Sequence, residues 1–145
     1  MNKFMAEALR EAYKGLEEGG IPIGSVVVKN GKIVGRGHNR RVQKNSTILH
    51  AEMDALENVG RQSASFYSDV ILYTTLSPCN MCSGAILLYK IPHVVIGENR
   101  NFLGEEELLR KRNVTVEVLN EPDCIEIMRN FILSKPLLWN EDISN

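Results

Sequence analysis

The stretch Asp69–Gly97, DVILYTTLSPCNMCSGAILLYKIPHVVIG, decides the architecture. DVILYTT is a near-continuous apolar run, the pattern of a strand buried on both faces. Pro78 stands where a helix begins, because a first-turn residue loses nothing by lacking an N–H. CNMCSGAILLYK then reads as an apolar helix and IPHVVIG as a second short buried strand. Strand, helix and strand in that order predict a parallel pair joined by a crossover helix.

Working outward, Phe4, Ala8, Tyr13 and Leu16 mark an amphipathic opening helix that ends at Gly19-Gly20. IGSVVVKNGKIVGRG predicts a hairpin around Asn30-Gly31, a strong two-residue turn signal. HNRRVQKNSTIL reads as a loop leading into a helix, HAEMDALENVG, with Met53 and Leu56 at helical spacing and Gly60 at its end. Downstream, FLGEEELLRKR is a helix or part-helix and VTVEVL an alternating strand. EPDCIEIMRNFILSK is a helix opened by Pro122, and PLLWNEDISN forms a last short helix. This order predicts an α/β fold: a mixed sheet with helices on both faces and parallel pairing in its second half. No repeat, low-complexity tract or linker interrupts it, so residues 1–145 read as one domain.

Composition narrows the function. The chain is 43% hydrophobic and 24% charged, with 17 basic against 18 acidic residues and a formal net charge of −1. A nucleic-acid binder usually carries a basic excess, so no nucleic-acid partner is expected. The one basic run, Arg36, Arg40, Arg41 and Lys44, reads as a solvated loop. No segment has the roughly 18 consecutive apolar residues of a membrane span, and the N-terminus lacks a signal-peptide core. Three cysteines, two of them close together, favour a reducing, cytoplasmic setting in which thiols bind metal or do chemistry.

Four residues stand out: His50, Glu52, Cys79 and Cys82. Cysteines at i and i+3 meet on one side of a helical turn. The positive end of that helix favours the thiolate form that binds zinc. Two thiolates and one imidazole make three ligands, which leaves one position for water and marks a catalytic site. Glu52, two residues beyond His50, suits a proton carrier better than a ligand. Two other readings of C-x-x-C are a redox pair and a structural zinc site that takes a fourth ligand from His38, His93 or Cys124. Cys124 alone reads as core filler on a helix.

H-x-E followed by P-C-x-x-C is the established signature of zinc-dependent nucleobase deaminases. On these motifs the chain resembles the cytidine/cytosine deaminase superfamily, and within it the fungal-type cytosine deaminases. The likeness runs almost end to end, through GGIPIGSVVV, GRGHN, LHAEMDALENVGR, LYTTLSPCNMCSGAI, IPHVVIGENRNF and WNEDI. GRGHN, GENRNF and the tail point to the free-base branch. Ala51 departs from it, because the fungal enzymes carry glycine there.

The resemblance implies a three-layer α/β/α fold around a five-stranded sheet. It implies one Zn2+ per subunit held by His50, Cys79 and Cys82. Glu52 becomes the proton shuttle in the hydrolysis of cytosine to uracil and ammonia, a step of pyrimidine salvage. Asn39 and Asp142 match residues that address the base edge, and Phe102 and Trp139 match aromatic walls. Ile23 would stand half in the core and half in the pocket, and the N–H groups of Ala51 and Cys79 would bind the substrate. Taken alone, Asn39 reads as a loop cap, Asp142 as a solvated charge, and Phe102 and Trp139 as core. Guanine, a nucleoside or tRNA adenosine remain alternative substrates. The acidic WNEDISN tail, without a basic residue after Lys135, weighs against a polynucleotide. Kinship also implies a homodimer, with SGAILLYK and IPHVVIG as the candidate buried face.

Overall fold

Alternation along the strands gives the sheet two apolar faces. In the computed structural model, which describes residues 1–145, β1 (Gly24–Lys29) and β2 (Lys32–His38) form the expected hairpin. Asn30 and Gly31 make its turn with φ of 52° and 74°, the left-handed pair that so tight a connection needs. β3 (Val70–Thr74), β4 (His93–Ile96) and β5 (Thr115–Val118) complete the order β2-β1-β3-β4-β5. β1 is antiparallel to β2 and β3, whereas β3–β4 and β4–β5 are parallel. The mixed five-stranded sheet is as predicted.

Val26, Val28, Tyr73 and Val95 pack with residues of α1 (Lys3–Glu17) and α6 (Pro122–Ser134). Val27, Leu72, Val94 and Ile96 pack with Ala55 of α3 (Ala51–Val59), Ile86 of α4 (Asn80–Leu88) and Leu109 of α5 (Glu106–Lys111). Three layers result. A third cluster caps one end of the sheet, where Trp139 of α7 (Pro136–Asp142) meets Ile21, Ile23, Ala51, Leu76, Met128 and Phe131. No helix is long and apolar enough to cross a membrane.

Several local expectations change. The buried stripe of α1 is Met5, Ala8, Leu9, Ala12 and Gly15, and Tyr13 and Leu16 are exposed. HNRRVQKNSTIL contains a short helix, α2 (Arg41–Lys44). The basic run is largely paired: Arg36 with Glu7 at 2.9 Å, Arg40 with Asp54 at 3.7 Å, and Arg41 with Glu141 at 3.2 Å. β4 lies between β3 and β5, so IPHVVIG is interior and only the helix of the proposed dimer face presents an outer surface.

Strand direction assembles the site. Gly24 opposes His38, Ser25 opposes Thr74, and Thr74 opposes Ile96. The start of β1, the end of β2 and the C-terminal ends of β3 and β4 therefore share one edge. Open α/β sheets bind ligands at such an edge.

Candidate active site

His50 is the N-cap residue of α3 and Cys79 that of α4, so two helices begin at one point. Their positive ends favour the anionic sulfurs gathered there. Cys82 lies in the first turn of α4, which returns its sulfur to the side of Cys79. His50 Nδ1 is 3.4 Å from Cys79 Sγ and 3.8 Å from Cys82 Sγ. Nitrogen and sulfur ligands of one tetrahedral zinc stand roughly 3.6 Å apart, so the separations fit that ion. The three donor atoms lie within 4.8 Å of one another, with no fourth ligating side chain in the group.

The alternative ligands lie elsewhere. His38 places its ring nitrogens 2.9 Å from Glu11 and 2.8 Å from Glu18. His93 faces Glu117 at 3.4 Å, and Cys124 is buried in the α1–α6 layer. The structural-zinc reading therefore lacks its fourth ligand, and the open set is that of a catalytic site.

Charge is organised around the same atoms. The hydrogen bond with Cys82 lowers the Cys79 thiol to about 4, with burial opposing and His50 adding to the drop. Cys82 is pushed up by Cys79 and by burial. Burial works to lower His50, but the hydrogen bond to Cys79 and the charge of Asp142 outweigh it, raising the imidazole to about 9. The imidazolium and the Cys82 thiol thus carry the protons that a dication displaces. Glu52, in the first turn of α3, is raised by burial to about 7, with His50 pulling the other way.

Two neighbouring spaces meet these groups. An inner chamber of about 20 Å³ is lined by Ile23, Glu52, Leu76, Ser77, Phe102, Trp139 and Ile143, with His50, Cys79 and Asp142 at its metal side. That volume suits about one water molecule. A vestibule of about 560 Å³ opens outside it, bounded in part by Arg41, Ile48, Leu103 and Glu141. Phe102 borders both spaces and meets Trp139 edge-on, with ring centroids 5.9 Å apart and planes at 86°.

Asp142 reaches the site from α7, and its Oδ1 lies 3.4 Å from His50 Nε2. Burial raises its carboxyl. Asn39 is buried behind it: Nδ2 donates to Asp142 Oδ1 at 2.9 Å and Oδ1 accepts the Arg41 N–H at 3.1 Å. Asn39 lies outside the lining of both spaces, although an amide retains one more donor and one more acceptor. Ala51 is fully buried in the end cluster, and its N–H belongs to the first turn of α3, where helix N–H groups lack intrahelical partners.

Sequence reasoning missed three residues of the chamber, Leu76, Ser77 and Ile143, and most of the vestibule, Arg41 among them. Leu76 and Ser77 directly precede Pro78-Cys79, and Ile143 directly follows Asp142, so adjacency to the motifs was their signal. Arg41 had none, because its partner Glu141 is 100 positions away.

Hydrolytic removal of an amino group from a nucleobase requires an open zinc position and a buried carboxylate able to carry a proton. The fold and the site define a zinc-dependent deaminase. The chain belongs to the cytidine and deoxycytidylate deaminase zinc-binding family, whose profile matches residues 1–98. A cytosine deaminase from Candida albicans is 54% identical over 142 residues, covering 97% of this chain and 95% of its own. A tRNA-specific adenosine deaminase from Streptococcus pyogenes is 44% identical over 138 residues, covering 88% and 87%. A solved structure from studies of A-to-I editing by tRNA:A34 deaminases superposes with a TM-score of 0.75 at 28% identity, covering 88% of this chain and 99% of that one. A guanine deaminase from Nitrosomonas europaea shares the fold, with a TM-score of 0.76 at 21% identity and coverage of 88% and 82%.

Proposed function

We propose that this chain hydrolyses the free base cytosine to uracil and ammonia, a step of pyrimidine salvage. The observation that carries the reading is the closure of the inner chamber by Trp139, Asp142 and Ile143. A flat base needs apolar walls with a few directed polar groups, and this water-sized chamber must widen to seat one; a sugar would need α7 to move much further. The Candida albicans relative, alike over nearly the whole of both chains, supports the same substrate.

His50, Cys79 and Cys82 would hold zinc, which would lower the pKa of a water towards about 7 and so supply a nucleophile at neutral pH. Glu52 accepts the proton of the attacking water and delivers it to the ring nitrogen beside the amino-bearing carbon. That carbon becomes tetrahedral as the new C–O bond forms. Glu52 then moves the remaining hydroxyl proton to the amino group, the C–N bond breaks, and ammonia leaves as the carbonyl forms. A carboxyl raised to about 7 by burial gains and loses a proton with similar ease near neutrality.

The other side chains orient the base. Phe102 and Trp139 enclose its ring, and Ile23 supplies an apolar contact. Asp142 holds the His50 ring through Nε2, as carboxylates behind metal-bound imidazoles do, and turns its other oxygen to the base edge. Asn39 fixes Asp142 from behind, and its remaining donor and acceptor can meet the same edge only once the chamber widens around a base. The N–H groups of Ala51 and Cys79 address the ring carbonyl and the attacked centre.

A second reading, tRNA adenosine deamination, is favoured by the Streptococcus pyogenes relative. It requires α7 to leave the chamber and has no basic excess to draw in a polynucleotide. We also propose a homodimer, built on the outer face of α4. Leu88 and Tyr89 there are 70% and 42% exposed, beside a groove that includes Met53, Leu56 and Tyr67. The free thiols of Cys79 and Cys82 suit a reducing cytoplasm.

Ultraviolet assays with cytosine, cytidine, guanine and adenosine under equal conditions test the reading. Cytosine is expected to turn over fastest. If cytidine outpaces it, the closure argument fails.

A further inference from the structure

Glu106 is buried at the start of α5, outside the metal site. Its Oε2 accepts from the Ser77 hydroxyl at 2.6 Å, its Oε1 accepts from Asn99 Nδ2 at 3.2 Å, and Arg110 lies 3.7 Å away. Ser77 is the donor, because a hydroxyl carries the proton and a carboxylate oxygen accepts it. That orientation leaves the Ser77 lone pairs for the Gly104 N–H, which donates to Oγ at 2.9 Å. The hydroxyl is thus a one-way relay from the Gly104 N–H to the Glu106 carboxylate.

Further bonds run between the same two segments. The Ser77 N–H donates to the Glu98 carbonyl at 3.0 Å, and the Glu105 N–H donates to the Pro78 carbonyl at 3.1 Å. The Glu98 carboxylate accepts the N–H groups of Arg100 at 2.7 Å and Asn101 at 3.0 Å, which fixes the loop between them. Gly104 sits so close that a Cβ would stand 1.8 Å from the Pro78 carbonyl oxygen, so no other residue fits there. Residues 98–106 are strapped to the two residues that precede Cys79. Phe102, midway along the strap, makes the edge-on contact with Trp139.

We propose that Ser77 and Glu106 are positioning residues for the base. Acting through Gly104, they hold Phe102 against Trp139 and so set the affinity of the chamber for the substrate ring. The proposal rests on the nucleobase reading above. Neither side chain is asked to touch a reacting atom. Losing the relay orphans the half-buried Gly104 N–H and frees the middle of the strap, while the zinc ligands keep their own helices.

The test compares Ser77→Ala, Glu106→Leu and Glu106→Gln in the zinc-loaded protein. Ser77→Ala and Glu106→Leu are expected to raise KM on the order of tenfold, the scale of one lost buried hydrogen bond. In Glu106→Leu, whose side chain lies outside both spaces, kcat is expected to stay nearly unchanged, and that split marks lost binding and not lost chemistry. Glu106→Gln keeps an acceptor oxygen for Ser77 and is expected to restore most of the KM. In a Phe102→Ala background, Ser77→Ala is expected to add no further rise, because both act through one contact. Trp139 is the only tryptophan, and its emission is expected to move to longer wavelength in the two relay-breaking variants. This last readout needs no turnover, so it stands even if the enzyme prefers another base. Wild-type KM and emission in folded Ser77→Ala would overturn the proposal. So would additive effects with Phe102→Ala, or a fall in kcat with zinc loss at unchanged KM.

Discussion

The proton-carrying role proposed for Glu52 rests on the point at which α3 begins. The first turn carries Glu52 two residues past His50, close enough to feel the imidazole and buried enough to be raised to about 7. Glutamine has the same shape but carries no exchangeable acid proton. Glu52→Gln is therefore expected to retain zinc and lose on the order of 10²–10⁴-fold in kcat, the usual share of general acid–base catalysis. Elemental analysis with a turnover assay checks both halves, and near wild-type turnover would remove Glu52 from the proton path. At this scale the metal group was readable, because i, i+2 and i, i+3 spacings act within one helical turn. Asn39 and Asp142 were not readable on their own. Their bond spans 103 positions, and only likeness to a family linked them beforehand.

Helix α1 is tied to β2 by a charged clasp. His38 stands between Glu11 and Glu18, with Gln43 on Glu18, Arg36 on Glu11, and Asp54 accepting the His38 backbone N–H. The hydrogen bond to Glu11 raises His38 above its ordinary 6.5, against the pull of burial and with Glu18 adding to the rise. Glu11 and Glu18 are each held below their ordinary 4.5 by their bonds to His38. The stabilisation linked to His38 is complete below about pH 6.5 and is lost as pH climbs through its raised folded value. That linked to the two acids is complete above about pH 4.5 and is lost as pH falls through their lowered values. The clasp is thus strongest between about pH 4.5 and 6.5. Urea midpoints at pH 6 and pH 9 are expected to fall less in His38→Gln than in the wild type, and equal falls would sink the clasp. Element order and type followed from the sequence because strand runs and turn residues are local signals. The face of α1 followed only in part: Phe4 and Ala8 do face the sheet, but the buried side continues through Ala12 and Gly15, which carry little hydrophobic signal. Tyr13 and Leu16 border a groove beside α6 instead.

Across the whole molecule, the metal group joins two consecutive crossover connections. His50 lies at the start of α3, which packs on β2 and β1, and Cys79 and Cys82 lie at the start of α4, which links β3 to β4. His50 and Cys82 are 32 positions apart in the chain and 3.8 Å apart between donor atoms. Those atoms converge only when the sheet has brought both helix starts to one edge, so the unfolded chain binds zinc far more weakly. A ligand held by the native state alone stabilises it by about 4 kcal/mol when present at a thousand times its Kd. At roughly 3 °C per kcal/mol for a domain of this size, zinc removal is expected to lower Tm by about 10 °C. Thermal melts followed by circular dichroism at pH 7, before and after chelation, read this shift directly. Restoring zinc is expected to restore Tm, which separates metal loss from irreversible damage. An unchanged Tm after verified zinc removal would mean that the native chain holds zinc no more tightly than the unfolded one, and would sink a site assembled by the sheet.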